Sequence, residues 1–246
     1  MEEGKYFDSD RGTPQGGVIS PVLANVYLHY VLDLWFEKWV RKQCRGQAYI
    51  VRYADDFVCC FQYKSDADAF YTALIKRLEK FDLEVAQDKT KIIPFGRFAE
   101  RDCKRKGQNK PPTFDFLGFT HYCSKSKKGK FRVKRKSSQK KVKAKLKKQK
   151  EWLKTHRTMD IQDIMARVER SLVGYYNYYC ITDNSHAVKS FLDCIKQLLY
   201  KWMNRRSQRK SFSWDKFNLF LKKYPLPSPK IKVNIYDLRD DLNYIL

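Results

Sequence analysis

The sequence predicts an α+β protein in which an antiparallel sheet with helices on one face is followed by an all-helical bundle. Two observations predict this order: strand-type segments lie in the first half of the chain, and the last hundred residues carry apolar residues at helical spacing. The third observation is the distribution of charge. Residues 1–98 hold 14 Lys and Arg and 14 Asp and Glu, so the net charge of +24 belongs entirely to residues 99–246. The second part is therefore predicted to bind a polyanion.

The composition excludes several classes of protein. Hydrophobic residues at 43% and aromatic residues at 15% are too many for a disordered chain. No stretch of about 18 uncharged apolar residues is present, so we predict neither a membrane-spanning helix nor a membrane partner. Seven cysteines and a polar N-terminus without a signal region predict free thiols and a cytoplasmic location.

The first predicted element is a long helix that begins at Ser20-Pro21, because proline suits the first helical position. It should end before Gly46, and its predicted buried stripe is Leu23, Tyr27, Val31, Leu34 and Trp35. A hairpin follows, since the β-rich segments Tyr49–Tyr53 and Phe57–Phe61 flank Ala54-Asp55-Asp56.

A second helix comes next, with apolar residues at helical spacing: Phe70, Leu74, Leu78 and Phe81. Leu83–Val85 and Thr90–Ile93 are predicted to be short strands. A polar linker over 99–113 leads to a compact apolar strand, Phe114–Phe119. Helices are then predicted over about 138–155, from Asp160, from Ser185 and from Ser213 to Lys223.

The neighbouring carboxylates of Asp55 and Asp56 are the first candidate for chemistry. Two carboxylates at one turn repel each other unless cations compensate them. Carboxylate oxygens are ligands for Mg²⁺, and a two-metal site would clamp the attacking and leaving oxygens of a phosphoryl transfer. A solvated hairpin turn is the alternative interpretation, because Asp is a common turn residue.

The surrounding motifs favour the metal site. The segment from Arg11 to Asn25 resembles the loop-to-helix block of group II intron reverse transcriptases, and Tyr53–Asp56 resembles their metal-binding box. Further matches to the family's boxes follow in the family's order, at Asp88–Ile92 and Phe116–Phe119, with Gly174–Tyr179 and Lys201–Arg206 similar to its maturase, or thumb, region. The resemblance implies a partial polymerase palm over 1–98, a connector with a primer-grip-like strand and a basic segment over 99–136, and a helical thumb/maturase domain over 137–246.

The resemblance also implies a function: an RNA-directed DNA polymerase that binds structured intron RNA, an RNA template, a DNA primer and deoxynucleoside triphosphates. Asp55 and Asp56 would be catalytic and would hold two Mg²⁺ ions, with Asp55 bridging them. Contacts with template and substrate would come from Gln15, Gly16, Gly17, Lys89 and Lys91, one of the lysines stabilising the leaving pyrophosphate. Phe116, Leu117, Gly118 and Phe119 would grip the primer, although buried strand residues would show the same pattern.

Nucleic-acid contacts are predicted along the acid-free basic run 125–150, where lysine and arginine suit a phosphate backbone. A solvated face is the alternative. The predicted binding residues are Lys134, Arg135, Lys136, Lys140, Lys141, Tyr175, Tyr176, Arg205 and Arg206, the tyrosines by stacking on bases. Two of the four tyrosines in Gly174–Tyr179 are expected to be buried.

The active site of this family needs a further carboxylate from an earlier palm strand. Only fifteen residues precede Gly16, and Asp8 and Asp10 lie in a polar loop. We therefore interpret the chain as N-terminally truncated and expect it to be nearly inactive alone, with an N-terminal fragment as the partner that supplies fingers and carboxylate. The alternative is a noncatalytic RNA-binding maturase or splicing factor, and a role of the same core in defence stays open.

Overall fold

The computed structural model describes residues 18–126, 128–206, 212–235 and 237. The chain divides into two compact units between Pro94 and Phe95. The segment predicted as a connector, 99–136, thus lies in the same unit as the helices that follow it. Within the described ranges, no helix combines the length and the apolar character needed to cross a membrane.

The first helix, α1, consists of four consecutive stretches: α-helical Ser20–Leu28, π-helical His29–Asp33 and Phe36–Val40, and a last turn Arg41–Gln43. It starts at Ser20 with a proline in its first turn and ends before Gly46, as predicted.

The predicted buried stripe of α1 is wrong in its first half, because Leu23 and Tyr27 are 47% and 44% exposed. The residues that α1 buries are Val31, Leu32, Phe36 and Val40. The cause is the position of the core of the first unit, whose members begin at Val31 and so lie beyond the N-terminal half of α1.

The remainder of the first unit is a hairpin and one helix. Strands β1 (Ala48–Tyr53) and β2 (Asp56–Phe61) pair antiparallel from Ala48↔Phe61 to Tyr53↔Asp56. Helix α2 (Lys64–Glu79) buries Phe70, Leu74 and Leu78 against them. The strands predicted at 83–85 and 90–93 are wrong, since neither segment pairs with a strand among residues 18–126, 128–206 and 212–235. Leu83 and Val85 still pack against this core.

The second unit begins with helix α3 (Ala99–Arg105), inside the segment predicted to be a linker. Strands β3 (Phe114–Phe116), β4 (Phe119–Lys125) and β5 (Phe131–Ser137) then form an antiparallel sheet in sequential order. The predicted single strand Phe114–Phe119 is therefore two strands joined by a turn. Its cause is the positive φ of Leu117, at 48°, and of Gly118, at 77°.

The helical half of the second unit agrees with the predicted periodicity. Its helices are α4 (Gln139–Thr155), α5 (Ile161–Tyr179), α6 (Ser185–Met203) and α7 (Trp214–Lys223). The Asp160 carboxylate caps α5 by accepting a hydrogen bond from the Gln162 amide at 2.7 Å. The core between these helices includes Leu153, Val168, Leu172, Phe191, Leu199 and Phe217.

Candidate functional site

The two candidate catalytic carboxylates lie at the tip of the β1–β2 hairpin. Tyr53 and Asp56 are cross-strand partners, so Ala54 and Asp55 form a two-residue turn. Both carboxylate residues are exposed. Asp56 shares the face of the hairpin that carries Tyr53 and Val51, whereas the opposite face packs on the core of the first unit.

The turn itself is strained and braced. Ala54 has a φ of 54°, in the left-handed region that costs a residue with a Cβ atom about 1–2 kcal/mol. The Arg52 guanidinium donates to the Ala54 carbonyl oxygen at 2.9 Å. The same side chain donates two hydrogen bonds to Asp33 of α1, Nε to Oδ1 at 2.8 Å and Nη2 to Oδ2 at 2.6 Å, and one to Asn25 Oδ1 at 2.9 Å. Hydrogen bonding to Asp33 raises the pKa of Arg52, so the brace is charged at any physiological pH.

The sequence did not predict this set of hydrogen bonds from Arg52 to the turn and to Asp33. Arg52 and Asp33 lie 19 residues apart on different elements, and no helical or strand period connects them. The only signal in the sequence was a charged residue inside an otherwise apolar strand, next to the paired carboxylates.

The other predicted substrate contacts have different outcomes. Lys89 and Lys91 are both exposed, on a turn and on an extended segment. Thr90 lies between them and holds this segment by donating from its amide and its hydroxyl to the Ala86 carbonyl oxygen, each at 2.9 Å. Neither lysine has an ion-pair partner among the described residues. Gln15, Gly16 and Gly17 lie outside the described part of the chain.

The four residues Phe116, Leu117, Gly118 and Phe119, called the grip turn below, form the tip of the β3–β4 hairpin. Phe116 and Phe119 are cross-strand partners, and Leu117 and Gly118 form the turn between them. The Gly118 carbonyl oxygen accepts from the Ser138 amide at 2.9 Å, and the Leu117 carbonyl oxygen accepts from the Tyr178 hydroxyl at 2.7 Å. The turn is thus attached to the helices of its own unit.

The predicted basic contacts divide between two faces of the sheet. Lys134 and Lys136 share one face with Tyr122, and the Lys136 ammonium lies 5.5 Å from the centre of the Tyr122 ring. Arg135 points to the other face, and its Nε is buried without a hydrogen-bond partner among the described residues. Lys140 and Lys141 are exposed on the first turn of α4.

The prediction for Tyr175 and Tyr176 needs correction. These side chains are only 1% and 3% exposed, so their rings offer no face to a base. Burial raises the pKa of each hydroxyl to about 12. Helical spacing already indicated this, because Leu172, Tyr175 and Tyr176 repeat on the face of α5 that packs on the core. The half-exposed ring in this motif is that of Tyr178.

The two predicted arginines beyond α6 also differ. The Arg205 guanidinium is exposed and lies 5.4 Å from the centre of the Trp202 ring. Arg206 is half-buried, and its Nη1 has no hydrogen-bond partner within the described residues. Arg205 is therefore the better placed of the two for a phosphate.

Comparison with known protein families gives two matches, one to each half of the chain. The model of the family described as Reverse transcriptase (RNA-dependent DNA polymerase) matches residues 2–121. The model described as Group II intron, maturase-specific domain matches residues 139–220. The chain belongs to the group II intron-encoded reverse transcriptase/maturase family. A comparison with curated proteins gave no match.

Reverse transcriptases of this kind generally use Mg²⁺, and the hairpin tip fits that ion in kind. The carboxylates of Asp55 and Asp56 are the oxygen donors that Mg²⁺ prefers. The described residues do not bring three His, Cys, Asp or Glu side chains together at any point. The described part of the chain thus offers two neighbouring carboxylates at this turn and no group of three.

Proposed function

We propose that this reverse transcriptase/maturase catalyses RNA-directed DNA synthesis through Asp55 and Asp56, and that its second unit binds intron RNA and template-primer. The observation that carries the proposal is the braced turn. Arg52 fixes the Ala54 carbonyl to α1, and so it orients the turn in which Asp55 lies next to Asp56. Ala54 has a strained backbone and accepts one hydrogen bond from Arg52, whose guanidinium makes three further bonds to Asp33 and Asn25. Backbone strain that is held in place by surrounding contacts is typical of functional sites.

The roles follow from chemistry and exposure. Asp55 and Asp56 would hold Mg²⁺, which when bound supplies charge neutralisation at the reacting phosphate oxygens. Lys89 and Lys91 are exposed and form no ion pair with an acid in the part of the chain that the structure describes, which suits a developing charge on pyrophosphate. Gln15, Gly16 and Gly17 are proposed as template contacts on the family resemblance alone.

The test is primer extension on an RNA template with Mg²⁺, comparing the wild-type chain with Asp55→Asn and Asp56→Asn. Because the described residues supply only two ligands, we expect slow extension by the chain alone and faster extension when a polypeptide with the family's first palm strand is added. Each Asn variant should lower any extension at least a hundredfold. Asp68→Asn is the matched control, since it removes the same charge from an exposed position on α2. Equal rates in Asp55→Asn and Asp68→Asn would refute the assignment.

A second candidate function is noncatalytic RNA binding in splicing. It is favoured by the incomplete ligand set together with the basic side chains Lys134, Lys136, Lys140 and Lys141, which have no acidic partner within the described residues. Because both functions include RNA binding, they are distinguished by measuring primer extension and splicing for the wild type and Asp55→Asn, with the affinity for a structured intron RNA measured in parallel. If Asp55→Asn retains both RNA affinity and splicing while wild-type extension is undetectable with added palm strand, the noncatalytic function is the correct one.

A further inference from the structure

We infer that Tyr178 and Tyr179, at the end of α5, are positioning residues that fix the grip turn relative to the helices of the second unit. The inference rests on the proposed function, because it gives these tyrosines a task in placing the primer. The sequence presents them as part of a maturase-like motif separate from the grip turn. The structure brings the two motifs into direct contact.

The first support is at the backbone of the turn. The carbonyl oxygens of its two residues with positive φ are both occupied by groups outside the hairpin. Leu117 accepts from the Tyr178 hydroxyl and Gly118 accepts from the Ser138 amide. One anchor comes from the end of α5 and the other from the residue that precedes α4, so the turn cannot shift without breaking one of them.

The second support is the packing of rings. The Phe119 ring stacks on the Tyr178 ring with centres 5.6 Å apart and planes at 17°, and it contacts the Tyr179 ring at 5.2 Å. A Cβ atom added to Gly118 would lie 2.8 Å from the Tyr179 hydroxyl oxygen. The Tyr179 side chain therefore lies so close to the turn that it would have to move to accept a Cβ atom at Gly118.

The third support is that the end of α5 is itself fixed. Asn184 donates from Nδ2 to the Tyr179 carbonyl oxygen and to Ser137 Oγ, each at 2.8 Å, and its Oδ1 accepts from the Ser137 amide at 2.8 Å. Since Ser137 ends β5 and β5 pairs with β4, the sheet, the turn and the helix end form a closed loop of contacts.

The geometry distinguishes positioning from direct stacking. The Tyr178 hydroxyl is already used by Leu117, and one side of its ring is covered by Phe119. The four residues of the grip turn are themselves only partly buried, so a primer can contact the turn without displacing either anchor. A shift of the turn by even 1 Å would misplace whatever strand it contacts.

The decisive variant is Tyr178→Phe in the full chain, which keeps the ring and removes only the hydroxyl. Tyr176→Phe is the matched control on the same helix, because the Tyr176 hydroxyl is buried without a hydrogen-bond partner among the described residues. Amide hydrogen exchange in peptides that cover the grip turn should become about fivefold faster in Tyr178→Phe, the factor for one ordinary hydrogen bond. Exchange in Tyr176→Phe should match the wild type. Unchanged exchange in Tyr178→Phe overturns the inference.

The link to the primer is tested without relying on catalysis. A photoreactive thymidine at the 3′ end of a DNA primer, annealed to RNA, is cross-linked to the chain at saturating protein. The yield at residues 116–119 should fall about fivefold in Tyr178→Phe. The Kd for the same duplex should stay unchanged, and the melting temperature of the protein should fall by only about 2–4 °C. An equal yield in both variants, or a loss of yield that follows a loss of affinity, overturns the positioning role. If the wild type binds no duplex, the proposed function fails and the exchange result alone decides whether Tyr178 holds the turn.

Discussion

Asn184 should be among the most sensitive positions in the second unit. Its side chain is 0% exposed and makes three hydrogen bonds at 2.8 Å, to the Ser137 amide, Ser137 Oγ and the Tyr179 carbonyl oxygen. In Asn184→Ala the Tyr179 carbonyl oxygen keeps the Ile181 amide, and Ser137 Oγ keeps the Tyr175 hydroxyl. The Ser137 amide loses the acceptor that Asn184 supplied.

The magnitude follows from this accounting. Losing two ordinary hydrogen bonds costs about 2 kcal/mol, and a buried amide without an acceptor costs a further 1–3 kcal/mol. We therefore expect Asn184→Ala to lower the free energy of unfolding of this unit by about 3–5 kcal/mol. For a unit of this size, that corresponds to a fall in melting temperature of roughly 10 °C.

The assay is urea unfolding of the full chain, with hydrogen exchange of peptides from α5 and α6 to assign the transition to the second unit. Asn177→Ala is the matched control, because Asn177 is an exposed asparagine on α5 whose side chain accepts only from the Lys232 ammonium in the described structure. The control should change stability by less than about 1 kcal/mol. If both variants unfold at the same urea concentration, the buried hydrogen bonds of Asn184 contribute nothing and the reasoning is wrong.

Three further predictions follow from the same structure. Gly118→Ala should lower the free energy of unfolding by about 1–2 kcal/mol because of the positive φ alone, and by more because of the contact with Tyr179. The loss should therefore be smaller when Tyr179→Phe is also present, and additive changes in melting temperature would argue against the contact. Arg52→Lys should destabilise the first unit by about 2 kcal/mol in urea unfolding, since the bidentate bond to Asp33 is lost, and no change would show that the brace is dispensable. Burial and the charge of Arg135 lower the pKa of His121, so the unfolded state binds its proton more readily. The stability that neutral His121 contributes is present above about pH 6.5 and is lost as the pH falls through the pKa of the folded state. His121→Phe should therefore flatten the dependence of unfolding free energy on pH in this range, and an unchanged slope would show that another group causes it.

Local patterns predicted the elements well where one period covers a whole element. The hairpin at Asp55-Asp56 and the helices of the second unit are correct because alternation and helical spacing report which face is buried. The N-terminal half of α1 failed because burial depends on which elements pack against it, and spacing alone cannot supply that information. The short strands at 83–85 and 90–93 failed for the related reason that a strand needs a partner.

The candidate site divides in the same way. The motif placed Asp55 and Asp56 at a turn, and the structure agrees. The contacts that hold the two candidate turns join distant residues: Arg52 to Asp33 in the first unit, and Tyr178 to Leu117 across 61 positions in the second. A single sequence does not reveal such pairs, because helical and strand spacing relates residues only within one element.

The bonds between Ser137 and Asn184 have a consequence for how this family is divided into modules. The two family matches leave a gap between residues 121 and 139, and this gap contains β5. The second unit spans this gap. The Ser137 amide of β5 donates to Asn184 across 47 positions, and the grip turn accepts from Tyr178 of α5. A maturase piece cut at residue 139 would remove Ser137 from the Asn184 side chain and from the Tyr175 hydroxyl. A polymerase piece cut at residue 121 would break β4 and lose β5. Residues matched by both family models thus lie in one compact unit, so exchange of segments between relatives should succeed at Pro94 and fail between residues 121 and 139.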